Sequence, residues 1–355
     1  MQRLSIFMIF MACYLLSSAQ VDERLTDLSR YIAGMPAPMY TSDDKLNDAI
    51  PSDYSEDCTS AFDRLSEKHL EPISEWASSS SIISNSDHQK TLFYPFAGAD
   101  FIYADAFFGE VDNMILIGQQ DAGTLPDFDA MSQYEIKEYL NAIYNSLSIS
   151  NRLGFFRTKD MNRQFRDTYV NGTIHSILWY MARAEMKIIS IRNVRLTSSG
   201  RLETSTGKDG IEVIYSDKGK EKKLYYFAYD LSNSNLSSNS RLFDFLKSFG
   251  KHNVLVKSAS YLMHNSSFSI IRDYLMNTSH LVIQDPSGIP YRKLVSAGCS
   301  VDLHGTYTRP ISLFSGYSQS SLKEAAKSAP DLPFMIGYMA PYGECSLAVF
   351  KSCDN

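Results

Sequence analysis

The chain has 355 residues, a formal net charge of −6 and 44% hydrophobic side chains. That apolar content is enough for a real core and excludes a disordered chain. The mild acidity argues against a nucleic-acid-binding surface.

The amino terminus reads as an export signal. Arg3 supplies a basic start, Leu4 to Leu16 is almost wholly apolar, and Ser17-Ser18-Ala19 puts small side chains at the −3 and −1 positions. That pattern predicts a signal peptide over residues 1–19, with cleavage before Gln20. The apolar run is about 13 residues, short of the roughly 20 that a membrane-spanning helix needs. No later segment is long and apolar enough either. The expected destination is periplasmic or extracellular, with no transmembrane segment in the mature chain. Cys13 leaves with the signal, so Cys58, Cys299, Cys345 and Cys353 remain. An even count in an oxidising compartment permits two disulfides, in any of three pairings. No CxxC or Cys/His cluster has zinc spacing, so neither a metal nor a cofactor is expected.

Residues 20–90 read as a peripheral helical and loop segment, with polar turns from Thr41 to Asp57, a helix from Ser60 to about Trp76, and a Ser-rich linker from Ser78 to Ser86. Residues 91–355 read as a single α/β domain. Thr91 to Phe96 is a buried strand broken by Gly98. Asp100 to Phe108 is a short helix whose first-turn carboxylate suits the helix dipole. Met114 to Ile117 is a second apolar strand. Strand, helix, strand is the grammar of a parallel sheet. Ser132 and Glu135 form a capping box ahead of Ile136, Leu140, Ile143 and Leu147 at helical spacing. A helix from Thr173 to about Ala184 feeds a strand from Lys187 to Leu196. A β-hairpin follows, with arms at Ile211 to Tyr215 and Leu224 to Tyr229 and a turn at Lys218-Gly219.

After a polar connector from Ser232 to Ser240 the helix and strand rhythm resumes. Leu242 to Phe249 is a helix, Asn253 to Val256 a strand, Phe268 to Leu275 a helix and Leu281 to Ile283 a strand. The end is less regular: strands at Val301 to Tyr307 and Ile311 to Phe314, a helix capped by Ser321 and Glu324, and final strands at Met335 to Tyr338 and Ser346 to Phe350. The whole predicts a layered, Rossmann-like α/β domain with a mixed, mainly parallel sheet and a β-hairpin insertion.

In open α/β sheets, ligands bind beyond the carboxyl ends of the strands. The polar residues that follow the proposed parallel strands are therefore the site candidates. They are Asp100 after the first strand, Gln119 after the second, Lys257, Ser258 and His264 after the third, and Asp285, Tyr291 and Arg292 after the fourth. Asp100, Lys257, His264 and Asp285 would supply acid–base groups, and Gln119, Ser258, Tyr291 and Arg292 substrate contacts. Each has a structural alternative: Asp100 as a helix cap, Lys257 paired with Asp285, His264 as a loop residue, and Asp285-Pro-Ser-Gly288 as a turn. A dinucleotide fingerprint at Gly98 fails for want of further glycines and of an acidic residue at Gln119. A serine elbow at Gly316-Tyr-Ser318-Gln-Ser320 lacks its last glycine.

The stretches Phe93-Tyr-Pro-Phe-Ala-Gly-Ala-Asp-Phe-Ile-Tyr-Ala-Asp-Ala-Phe-Phe108, Val256-Lys-Ser-Ala-Ser-Tyr-Leu-Met-His264 and Ile283-Gln-Asp-Pro-Ser-Gly-Ile-Pro-Tyr-Arg292 resemble a family of uncharacterised bacterial exported proteins. That family carries a Tyr-Pro-Phe-Ser-Gly-Pro-Asp-Phe-like stretch and an Asp-Ser-Gly-Ile-Pro-Tyr-like stretch. Ala97 and Ala99 stand here in place of its Ser and Pro. The resemblance covers roughly residues 90–340 and implies no activity. The expected function is either a hydrolase acting on an extracytoplasmic polar substrate or a non-catalytic cell-envelope protein that binds a glycan, peptide or protein. Its partner would be a small polar ligand or an envelope component.

Overall fold

The structure, a computed structural model, describes residues 20–80, 89–153, 170–236 and 241–353. Residues 1–19, where a signal peptide is expected, lie outside the described residues, as does most of the Ser-rich stretch.

The described chain is an α/β protein built on one open ten-stranded sheet. Its strands are β1 (Thr91–Tyr94), β2 (Asn113–Gly118), β3 (Lys187–Leu196), β4 (Leu202–Thr204) and β5 (Gly210–Asp217), then β6 (Lys220–Ala228), β7 (Asn253–Val256), β8 (Leu281–Gln284), β9 (Val301–Gly305) and β10 (Ser346–Lys351). They lie in the order β4-β3-β5-β6-β2-β1-β7-β8-β10-β9. The central run β6-β2-β1-β7-β8 is parallel throughout. Antiparallel strands extend it on both sides, so the sheet is mixed.

The central strands read as unbroken apolar runs because both their faces are covered. Leu92, Tyr94, Met114, Leu116, Leu255 and Ile283 join one core. Phe93, Ile115, Ile117, Val254, Val256 and Val282 join another. Strand geometry alternates side chains between the two faces, and the chain fills both. The first core is covered by the helices Phe101–Phe108, Gln133–Leu153 and Ile174–Arg183. Glu23–Ile32 and Tyr54–Leu65 also enter it through Leu28, Tyr31, Ile32 and Leu65, so residues 20–80 contribute core rather than mere periphery. The capping box forms as expected: Glu135 accepts from the Ser132 N–H at 2.7 Å, and the Glu135 N–H donates to Ser132 Oγ at 3.3 Å.

Three expected elements differ. Ile311 to Phe314 is not a strand. A 3-10 turn covers Ser312–Tyr317 instead and packs Phe314 and Tyr317 against Tyr261. Met335 to Tyr338 is irregular backbone. The helix at Ser320–Ala325 takes Gln319, not Ser321, as its N-cap. Among the described residues, no helix is long and apolar enough to cross a membrane.

Cys299 and Cys353 form a disulfide, while Cys58 and Cys345 are buried free thiols. Only one of the two permitted bridges therefore exists. It ties the residue two before β9 to the residue two after β10 and closes a loop with a sequence separation of 54. In a chain-entropy account such a loop removes roughly 4 kcal/mol of denatured-state freedom.

The helix Phe101–Phe108 carries one uncomfortable group. Asp105 Oδ1 is buried without a hydrogen-bond partner. Burial pushes its carboxyl up to about 6, against the pull of Lys222 and with help from Asp217. A raised carboxyl pKa means that the folded state holds the proton more tightly than the unfolded chain. Its stabilising contribution is complete below the ordinary value of about 4 and is lost as pH rises through about 6. Asp105→Asn should therefore match the parent near pH 4 and exceed it by about 1–2 kcal/mol at pH 7. Urea unfolding at the two pH values measures this; an equal difference at both would remove the titration argument.

Candidate functional site

The parallel run places the site. From β1 the chain moves one way, to β2 and β6, then returns to the other side of β1 for β7 and β8. The direction of travel reverses between β1 and β7. Ligand crevices form at such a reversal, outside the carboxyl ends of the strands.

A cleft opens there. Its walls come from four strand ends: Phe96, Gly98 and Asp100 after β1, Gln119 after β2, Tyr229 and Asp230 after β6, and Lys257, Ser258 and Ser260 after β7. Leu262 and Phe268 complete the rim. The floor is tight. A side chain on Gly118 would lie 2.2 Å from Tyr226 Oη and 3.0 Å from Gly98 Cα, so only glycine fits. Tyr226 in turn donates to the Gln120 carbonyl at 2.6 Å and fixes the loop after β2.

Beneath the cleft lies a buried ion pair. Lys257 Nζ is 2.8 Å from Asp100 Oδ2, with side chains 1% and 5% exposed. The Tyr94 hydroxyl donates to the same oxygen at 2.6 Å. The Lys257 ammonium also sits 4.0 Å from the centre of the Tyr103 ring, a cation–π contact. Burial pushes the Asp100 carboxyl up, while Lys257 and Tyr94 pull it down. Asp100 occupies the N-cap position of its helix but makes no side-chain capping bond. The cap reading therefore fails, as does the pairing of Lys257 with Asp285.

Asp285 is held differently. Its Oδ2 accepts from the Ser258 N–H at 2.8 Å, and its Oδ1 accepts from the Ser287 N–H at 2.9 Å and from the Ser287 hydroxyl. The Ser287 oxygen accepts in turn from the Ala259 N–H at 2.7 Å. Burial raises the Asp285 carboxyl and these hydrogen bonds oppose the shift. Asp285 thus clamps the turn after β7 to the turn after β8, as its Asp-Pro-Ser-Gly sequence suits it to do.

That clamped turn is strained. Ser258, Ser260 and Tyr261 have φ of 54°, 52° and 55°, and Phe96 across the cleft has 61°. Left-handed backbone costs non-glycine residues roughly 1–3 kcal/mol each and concentrates at functional sites. Tyr338 pins the turn from outside. Its hydroxyl donates to the Ser258 carbonyl at 2.6 Å and accepts from the Ser260 N–H at 3.1 Å. Inside the cleft wall, Ser258 Oγ is buried without a hydrogen-bond partner.

Of the eight residues expected at the site, Asp100, Lys257, Ser258 and Gln119 meet in the cleft. Asp285 lies behind it, one hydrogen bond away through Ser258. His264 does not line it. A 3-10 turn at Leu262–His264 carries the ring away to pack on Tyr261 and Tyr317, where burial lowers its pKa to about 4 and leaves it neutral. Tyr291 and Arg292 begin the helix Tyr291–Ser296 and border a separate surface hollow with Ser321 and Glu324. Sequence reasoning passes over Tyr94, Tyr103 and Tyr338. Tyr94 and Tyr103 stand inside the Phe93–Phe108 stretch singled out for its resemblance, which is the signal available for them. Among the described residues, no group of three or more His, Cys, Asp or Glu side chains is placed to hold a metal ion.

Removing one partner of a buried pair strands the other charge, which costs roughly 3–5 kcal/mol. Asp100→Asn and Lys257→Met should each destabilise the fold by about that much. The double variant should lose at least about 2 kcal/mol less than the sum of the two. Denaturant unfolding of the four proteins measures the coupling, and strict additivity would show that the pair does not act as a unit.

Comparison with protein-family models, with curated proteins and with solved structures finds no match to this chain.

Proposed function

We propose that the chain is an exported α/β protein of Rossmann-like organisation, with a β-hairpin insertion formed by β5 and β6, that binds a small ligand in the cleft between the ends of β1 and β7. The observation that carries this reading is Ser258 Oγ. It is buried in the cleft wall, on a turn held in left-handed geometry, and it has no hydrogen-bond partner among the described residues. A buried hydroxyl without a partner calls for a ligand or an ordered water. Gln119 supplies a second polar contact at the exposed end of the cleft.

Binding is favoured over hydrolysis on three grounds. Asp100 and Lys257 neutralise each other, and Asp285 is committed to the turn. Among the described residues no imidazole bonds Ser258 Oγ, the arrangement that would activate a serine nucleophile. In a strand–turn–helix hydrolase the N–H after the nucleophile forms part of the oxyanion hole. Here the Ala259 N–H is already bonded to Ser287.

Crystals soaked in isopropanol should show an ordered alcohol on Ser258 Oγ; bulk water alone in the cleft would count against a binding site. Turnover of p-nitrophenyl butyrate that vanishes in Ser258→Gly would replace binding by hydrolysis. Glycine suits the φ of 54° at this position, so the variant removes the hydroxyl without strain.

Export rests on the basic start, apolar run and small-residue end of residues 1–19, and the Cys299–Cys353 bridge fits an oxidising compartment. The intact mass of the protein recovered outside the cytoplasm should correspond to a chain beginning at Gln20 with two cysteines oxidised. A chain retaining residues 1–19 would refute cleavage.

A further inference from the structure

The chemistry of the cleft walls restricts what can enter. Three charged side chains line it: Asp100, Lys257 and Asp230. Asp100 and Lys257 form the buried pair, so among the described residues the lining offers no uncompensated cation to an anionic ligand. Asp230 is exposed at the rim, and its two oxygens accept from the Ser232 N–H at 2.8 Å and the Ser232 hydroxyl at 2.9 Å. An anion would meet that carboxylate alone. A cation would gain little there, because an exposed ion pair is worth about 1 kcal/mol or less.

The remaining walls are apolar rings and neutral hydrogen-bonding groups. Phe96 and Phe268 meet edge to face with centroids 6.1 Å apart on one side of the cleft. Tyr229 stands on the strand-end segment beyond β6, and the Arg241 guanidinium lies 5.5 Å from its ring centre. Phe96 is held at a φ of 61°, which a bulky side chain rarely adopts. Gln119, Gln120, Ser258 and Ser260 are the neutral polar residues of the lining.

From this arrangement we infer that the ligand is uncharged, with a flat apolar or ring-shaped body between the aromatic rim residues and a hydroxyl or amide directed at Ser258 Oγ. The inference rests on the binding reading above and adds the charge class. Nucleotides, phosphorylated sugars and carboxylates are excluded by the same argument.

The test is a matched series on the full mature protein: benzamide, benzoate and benzylammonium, which share a ring and differ in charge. Chemical-shift titration should place benzamide in the cleft, at least about tenfold tighter than benzoate, a gap of about 1.4 kcal/mol. Benzylammonium should bind no more tightly than benzamide. Ser258→Gly should weaken benzamide severalfold and leave the spectrum otherwise folded. Asp100→Asn frees Lys257 from its counter-charge and should move the preference toward benzoate; if that variant fails to fold, the parent series alone decides. Benzoate or benzylammonium binding in the cleft more tightly than benzamide would overturn the uncharged class and leave the binding site standing. No shift in the cleft with any of the three would overturn the binding site itself.

Discussion

The contact between Asp100 and Lys257 joins the two halves of the sheet where the chain reverses its direction of travel. β1 and β7 are neighbours in space but their first residues, Thr91 and Asn253, are 162 positions apart in sequence, and two register pairs, Leu92 with Asn253 and Phe93 with Val254, hold the strands together. The ion pair lies just beyond those two pairs. Tyr94 hydrogen-bonds its acid and Tyr103 packs against its base. Burying two charges is costly, and their mutual attraction offsets that cost only with good geometry and satisfied partners. The geometry here meets both conditions. An apolar pair could close the same seam, but it would not fix both strand ends to one register.

The left-handed turn after β7 follows from that seam. Once Lys257 is drawn under the cleft, the backbone must climb out again within a few residues, and Ser258, Ser260 and Tyr261 do so at positive φ. Strain of this kind persists only where the surroundings over-determine it. Asp285 holds the turn from the end of β8 and Tyr338 holds it from the connection between β9 and β10. Gly337 lets Tyr338 reach: it has a φ of 78°, and a side chain there would lie 2.7 Å from Asp285 Oδ2. The connection that carries both residues lies within the loop closed by Cys299 and Cys353. The disulfide therefore restrains the segment that keeps Ser258 in place.

How much of this was legible in the sequence depends on whether the information was local. β7 runs over Asn253–Val256 as its apolar run predicts, and the Ser132 and Glu135 capping box is readable from spacing alone. The strand-end rule picks out Asp100, Gln119, Lys257 and Ser258 before any coordinates, because parallel neighbours must present their carboxyl ends together. The partner of Lys257 was not legible. β7 borders both β1 and β8, so Asp100 and Asp285 are both within a strand of it, and only the direction of the side chain decides. Leu255 and Lys257 are two apart and share a face, the face that holds Tyr103 and Tyr94. Ile283 and Asp285 share that parity, so the rule places Lys257 on this face without choosing between the two carboxylates. Ile311 to Phe314 misled for a different reason: four apolar residues do not distinguish a strand from a tight helical turn. His264 was displaced by packing, since the stack of Tyr261 and Tyr317 takes up its ring.

The same commitments that make the site stable limit its chemistry. A general acid or base must be free to exchange a proton with a ligand. Asp100 is locked to Lys257 and Tyr94, and Asp285 to three donors, so protonating either would release buried partners as well as move a proton. Groups held this firmly act by position. Asp285 fixes the backbone at Ser258, and the neutral residues Ser258 and Gln119 line the cleft. A carboxylate and an ammonium in a strand-end crevice suggest acid–base work when read from sequence. Joined to each other beneath the floor, they instead cancel each other's charge, and the binding role we propose leaves selectivity to rings and hydroxyls.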